Sequence, residues 1–209
     1  MPRSMISLLG KLSSINVRKV AWTCDELGLP FVREDWGSGF RDTHVSDYVA
    51  LNPNALVPVI RDGDFVLWES NTIIRYLANR YGAHLYPTEP MARARVDQWL
   101  DWQATNLNTA WRYAFPALAR NSPDNDPVRV AESVKAWNDA IGILDGQLTR
   151  TGSHVAGDVF SLADIAIGLS VHRWLKTPMV HSEWPAAMAY YERLKQRPAF
   201  LPYALDSVP

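Results

Sequence analysis

The chain has 209 residues, 47% of them hydrophobic, with 21 basic and 22 acidic side chains for a formal net charge of −1. At ~100–200 residues per domain this is one large domain or two small packed ones, long enough to bury roughly 70% of the unfolded surface. Near-neutral charge argues against a nucleic-acid or anionic-membrane binder, which normally shows a basic face. The single cysteine, Cys24, excludes a disulfide framework, a paired redox motif and a zinc knuckle. The longest apolar stretch, residues 163–171, is interrupted by Asp164 and falls short of the ~18 needed to span a membrane. Five scattered histidines have no metal-ligand spacing, and nine tryptophans imply large aromatic packing surfaces. The apolar run at residues 6–9 is too short for a secretory signal, so the expected compartment is the cytoplasm.

Along the chain, residues 5–9 read as a strand ending at Gly10. Residues 16–27 read as a helix, with Val17, Val20, Ala21, Cys24 and Leu27 at spacings of three and four. Residues 31–35 make a second strand, and 36–54 an irregular stretch or short helix. Strands at 57–60 and 65–68 are joined by an Arg-Asp-Gly-Asp turn, and a helix follows over 69–81. Residues 85–90, with two prolines, read as a linker, beyond which no strand is predicted. Helices are expected over 91–118, around Val130 to Leu148, from Ser161 to about Leu175, and from Trp184 to before Pro198. The predicted architecture is a two-domain α+β chain: β-α-β-(α)-β-β-α over residues 4–82, then an all-α domain over 90–205.

Three strand-end corners carry polar groups. Residues 10–16, Gly-Lys-Leu-Ser-Ser-Ile-Asn, place two hydroxyls and an amide at a helix N-terminus, where free N–H groups favour an anion. Ser13 or Ser14 could equally serve as a plain helix cap. Residues 51–59 read Leu-Asn-Pro-Asn-Ala-Leu-Val-Pro-Val; a cis bond between Val57 and Pro58 would turn the Val57 backbone outward, toward an extended peptide. At the third corner, Ser70 and the first-turn N–H groups could hold a carboxylate while Glu69 pairs with an ammonium, or the segment could simply cap its helix.

Taken in order, the 51–59 stretch, the Glu-Ser-Asn-Thr-Ile-Ile-Arg-Tyr-Leu stretch at 69–77 and the Ser-Leu-Ala-Asp-Ile cap at 161–165 resemble cytosolic glutathione S-transferases. The Ser-Ile-Asn corner is most similar to bacterial and theta-like members of that family. The resemblance covers nearly the whole chain and implies a thioredoxin-like first half and an all-helical second half.

It further implies that Ser14, with Asn16, meets the sulfur of glutathione, Ser13 being the neighbouring candidate. Val57 and Pro58 would bind the cysteinyl backbone, and Glu69 and Ser70 the γ-glutamyl end. Relatives place a glutamine, histidine or lysine in the irregular loop for the glycine carboxylate; here residues 37–42 leave Arg41 or a backbone amide. Asn108, Trp111, Arg112 and Trp174 are the candidates for a second-substrate pocket. The implied function is attack of glutathione thiolate on small apolar electrophiles, a detoxification chemistry. The alternatives are a glutathione-dependent disulfide or peroxide reductase and a non-catalytic glutathione-binding protein. The resemblance implies glutathione as co-substrate, no cofactor or metal, a homodimer, and neither nucleic acid nor membrane as partner.

Overall fold

The computed structural model describes residues 5–204. The chain falls into two compact units that divide between Pro87 and Thr88. The outer bounds expected for the two domains, positions 4 and 205, lie outside the described residues.

The first unit contains β1 (Ile6–Leu9), α1 (Ile15–Glu26), β2 (Phe31–Glu34), a single turn α2 (Ser46–Val49), β3 (Val59–Asp62), β4 (Phe65–Trp68) and α3 (Ser70–Tyr81). The sheet order is β2-β1-β3-β4, with β1 and β2 parallel and the other two pairings antiparallel. A parallel pair needs a crossover, which α1 supplies, while β3 and β4 need only a tight turn, where Gly63 takes φ +61°. This is the thioredoxin-like arrangement expected from the sequence.

The two-residue period of a strand sends neighbouring side chains to opposite faces. Leu8 pairs with Ile60 and Leu9 with Val59, and all four are at most 1% exposed, so the sheet is covered on both sides. Tyr48 fills the Leu9–Val59 face, with Trp36, Leu51, Val57, Val66 and Trp68 around it. α1 and α3 pack together and contribute buried Val17, Val20, Trp22, Ile73, Ile74 and Leu77. The buried Lys19 side chain joins them by donating to Asn71 Oδ1 at 2.9 Å. The strand expected at 57–60 starts instead at Val59. Pro58 has no N–H for the ladder, so pairing begins one residue later.

The second unit holds α4 (Pro90–Trp102), a π-helical turn (Gln103–Leu107), α5 (Asn108–Trp111), α6 (Ala114–Ala119), α7 (Pro127–Thr151), α8 (Leu162–Lys176) and α9 (Pro185–Leu194). Glu89 and Asp126 cap α4 and α7 through their carboxylates, each followed by a proline at the first helical position. Residues 162–174 of α8 are all buried, which makes it the centre of this unit. Asp164 anchors its start, accepting from the backbone N–H groups of Val155 at 2.9 Å and Ser161 at 2.8 Å.

The single helix expected over 91–118 is in fact interrupted. Pro116 cannot donate to the carbonyl of Arg112, and its ring crowds that group, so the helix yields at residues 112–113. Ser133 of α7 bridges the gap: its hydroxyl accepts from the Ala114 N–H at 3.0 Å and donates to the Ala110 carbonyl at 2.6 Å.

Candidate functional site

The three polar corners meet at one end of the first unit's sheet. Gly10 ends β1 with φ +150°, and a side chain there would lie 3.1 Å from Val57 Cβ and 2.5 Å from Val17 Cγ2. Only glycine lets the first and second corners approach this closely. The following turn is pinned by Arg18, whose Nε donates to the Leu12 carbonyl at 2.6 Å and whose N–H donates to the Ser14 carbonyl at 3.1 Å. Ser14 stands at the N-cap of α1 in extended conformation, yet its side chain makes no capping hydrogen bond. The hydroxyl is half-buried and is not held by the helix it precedes. Ser13 is exposed.

At the second corner the Val57–Pro58 bond is cis. The buried Asn52 holds the approach to it: its Nδ2 donates to the Leu56 carbonyl at 2.8 Å, and its Oδ1 accepts from the Asn54 N–H at 3.0 Å. Tyr48 donates to the same Leu56 carbonyl at 2.9 Å. The Val57 N–H and carbonyl have no hydrogen-bond partner among the described residues.

At the third corner Glu69 adopts φ +70°, a conformation that costs a residue with a side chain about 1–3 kcal/mol. Its exposed side chain makes no capping bond, while the Ser70 hydroxyl is buried and donates to Asn16 Oδ1 at 3.2 Å. Asn16, Asn52, Asn54, Leu56, Val57, Pro58, Glu69 and Ser70 together line a cleft of about 60 Å³. Ser14 lies two positions before Asn16 and is not part of this lining.

Arg41 is not in the cleft. Its guanidinium pairs with Glu34 at 2.7 Å and lies 5.4 Å over the Trp36 ring. A cation that sequence reasoning missed stands closer. The Lys11 stem and Val57 Cγ1 each come within 3.8 Å of the point where a Gly37 side chain would begin, and Lys11 Nζ donates to the Ser38 carbonyl at 2.6 Å. Its position one residue after the strand-ending Gly10 was the available signal. Asn52 and Asn54 were visible only as part of a motif.

In the second unit, Ala104, Asn108, Thr109, Trp111 and Arg112 line a pocket of about 280 Å³. Trp174 is not among them. It is 1% exposed in the helical core, and its indole N–H donates to Asn138 Oδ1 at 3.1 Å. Cys24 is fully buried, and burial pushes its thiol up to about 12. No metal-binding cluster of His, Cys, Asp and Glu occurs among the described residues. No helix among them is long and apolar enough to cross a membrane.

A mixed four-stranded sheet with a cis-proline corner, followed by an all-helical unit, defines a thioredoxin-like protein with a helical C-terminal domain. The family model for the N-terminal domain of glutathione S-transferases matches residues 8–87. The chain is 36% identical to glutathione S-transferase GstB of Escherichia coli K12 over 93% of its own length and 95% of that protein. It is 30% identical to glutathione S-transferase 1 of Manduca sexta, over 92% of this chain and 89% of that one. The crystal structure of a theta class glutathione S-transferase from Xanthomonas axonopodis pv. citri, with glutathione bound, superposes with a TM-score of 0.93 at 34% identity, covering all of both chains. The chain belongs to the glutathione S-transferase family, a family of enzymes.

Proposed function

We propose that this protein conjugates glutathione to small electrophiles, and that the tripeptide lies across the three corners with its γ-glutamyl end in the cleft. The observation that carries the reading is the cleft itself, where the outward-facing Val57 backbone, the Glu69–Ser70 helix start and Asn16 adjoin one another. In this reading the Val57 N–H and carbonyl pair with the cysteinyl residue as a strand would. The first turn of α3 receives the γ-glutamyl carboxylate, to which the Ser70 hydroxyl donates once it turns from Asn16, and Glu69 receives the ammonium. Lys11, whose charged end reaches Ser38 beside the Val57 corner, meets the glycine carboxylate.

The chemistry needed is thiol activation. A thiol of pKa ~8.5 is only about 3% ionised at pH 7, whereas one at ~6.5 is about 75% ionised, a difference of about 2.7 kcal/mol. The unengaged Ser14 hydroxyl, donating to sulfur, and the positive end of α1 supply stabilisation of that order. Serine is then a hydrogen-bond donor and never a nucleophile. The thiolate attacks the electrophilic carbon, the carbon–sulfur bond forms, the leaving group departs as an anion, and the thiol proton goes to solvent. Cys24 is too deeply buried to act as a catalytic thiol, which favours conjugation over chemistry on a protein sulfur.

Glutathione serves as co-substrate in this scheme, with no further cofactor. We place the protein in the cytoplasm as a homodimeric detoxification enzyme, on the grounds of its single unpaired cysteine and its family. The test is retention on immobilised glutathione followed by turnover of 1-chloro-2,4-dinitrobenzene. Retention with conjugation supports the reading. Retention with disulfide or peroxide reduction alone would make it a reductase, and loss of retention would overturn glutathione binding.

A further inference from the structure

We propose that the pocket on α5 binds small aromatic molecules bearing an anionic acceptor group, a carboxylate above all, in preference to their uncharged counterparts. The pocket lies within the second unit, and its ligand preference is independent of the transferase reading. The inference starts from three buried or half-buried groups whose hydrogen-bond polarity is determined in sequence. The Ser170 hydroxyl donates its one proton to the Ala166 carbonyl at 2.8 Å. Its oxygen can then only accept, so the Gln103 group facing it at 3.2 Å is the amide nitrogen. The same Gln103 nitrogen lies 2.9 Å from Asn108, whose facing atom must therefore be its oxygen. Gln103 and Ser170 are 0% exposed, so water does not intervene to reverse this order.

Asn108 thus keeps its NH2 group, with two donors, for whatever occupies the pocket it lines. Arg112, on the same pocket, is exposed and has no acidic partner among the described residues. Trp111 lines it with its ring, while its indole N–H is buried away from the surface without a partner. Thr109 gives its hydroxyl proton to the Thr105 carbonyl, and no aspartate or glutamate lines the pocket. The π-helical turn is what brings Gln103 beneath Asn108, and such turns recur at functional sites.

A pocket rich in donors, with one cation and an aromatic wall, is poorly matched to a purely apolar ligand, which would leave those groups unpaired on desolvation. A flat ring stacked near Trp111 and carrying a carboxylate satisfies them. The volume of about 280 Å³ suits one substituted ring.

The experiment compares binding of 3-nitrobenzoate and its methyl ester by isothermal titration; neither has a leaving group, so the result does not depend on turnover. The acid is expected to bind about tenfold more tightly than the ester, and Arg112→Gln to bring the two within about twofold. Asn108→Asp, which turns a donor into an anion, should reverse the preference. Equal affinities, no binding of either compound, or a preference that survives Arg112→Gln would overturn the proposal. Conjugation of 1-chloro-2,4-dinitrobenzene, measured alongside, reports separately on the transferase reading: turnover without acid preference defeats only the selectivity, and acid preference without turnover defeats only the transferase.

Discussion

The Ser70 hydroxyl donates to the side-chain oxygen of Asn16 across 3.2 Å, joining the first turns of two helices that lie 54 positions apart in the chain. Each first turn has N–H groups without an intrahelical partner, so two partial positive charges converge on one cleft. Ser70→Ala removes the hydroxyl and this link. We expect the dissociation constant for glutathione to rise about five- to tenfold, with kcat at saturating glutathione nearly unchanged. Calorimetric titration and steady-state kinetics measure the two quantities separately.

Ser14 is expected to act on the bound thiol and not on affinity. In Ser14→Ala the pKa of enzyme-bound glutathione, followed by thiolate absorbance, should rise by about 1–2 units, and conjugation at pH 6.5 should fall about 5- to 50-fold. Ser14→Thr should restore much of both. The same titration on Ser13→Ala distinguishes the two neighbours, and we expect no shift there.

The positive φ of Glu69 gives a way to separate backbone from carboxylate. Glu69→Gly relieves the strained conformation, at some cost from a more flexible unfolded chain, for a net gain of about 0.5–1 kcal/mol and a Tm higher by about 2 °C. It also removes the carboxylate, so glutathione binding should weaken. Glu69→Gln should weaken binding to a similar extent without the gain in Tm. Scanning calorimetry and titration of both variants check the pair of outcomes.

Cys24 predicts the alkaline limb of stability. Its thiol is pushed up to about 12 in the folded chain from an ordinary value of 9.0, because burial disfavours the thiolate. Below pH 9 both states hold the proton and stability is full. Above it the unfolded chain releases the proton first, so this contribution declines by about 1.4 kcal/mol per pH unit until about pH 12. Denaturant unfolding of wild type and Cys24→Ala between pH 8 and 10.5 should show the shallower decline in the variant. An alkylating reagent should label Cys24 only after denaturation and leave glutathione conjugation intact in the native protein.

Much of this molecule was readable from local pattern. Apolar spacing placed α1, α3 and α7, and turn chemistry at Gly63 placed the hairpin, because these features depend on residues a few positions apart. The corner motifs were readable for the same reason: Ser14, Asn16, Val57, Pro58, Glu69 and Ser70 each stand where a strand meets a helix or a turn. The interruption before Ala114 was less legible, since Pro116 marks a weak point but only Ser133, 19 positions on, completes the bridge across it.

What tertiary structure alone decided was which of those side chains remained available. Arg41 looked free in the sequence and is held by Glu34; Trp174 looked like a pocket wall and is core; Lys11 looked ordinary and stands beside the Val57 corner. The polarity of Asn108 depends on Ser170, which lies 67 positions beyond Gln103. Local periodicity and capping record the conformation of neighbouring residues, and so the sequence by itself determined the elements and their polar ends. A hydrogen bond has one donor and one acceptor, and its partner is chosen by distance in space, so only the folded chain determined which groups were left to meet a ligand.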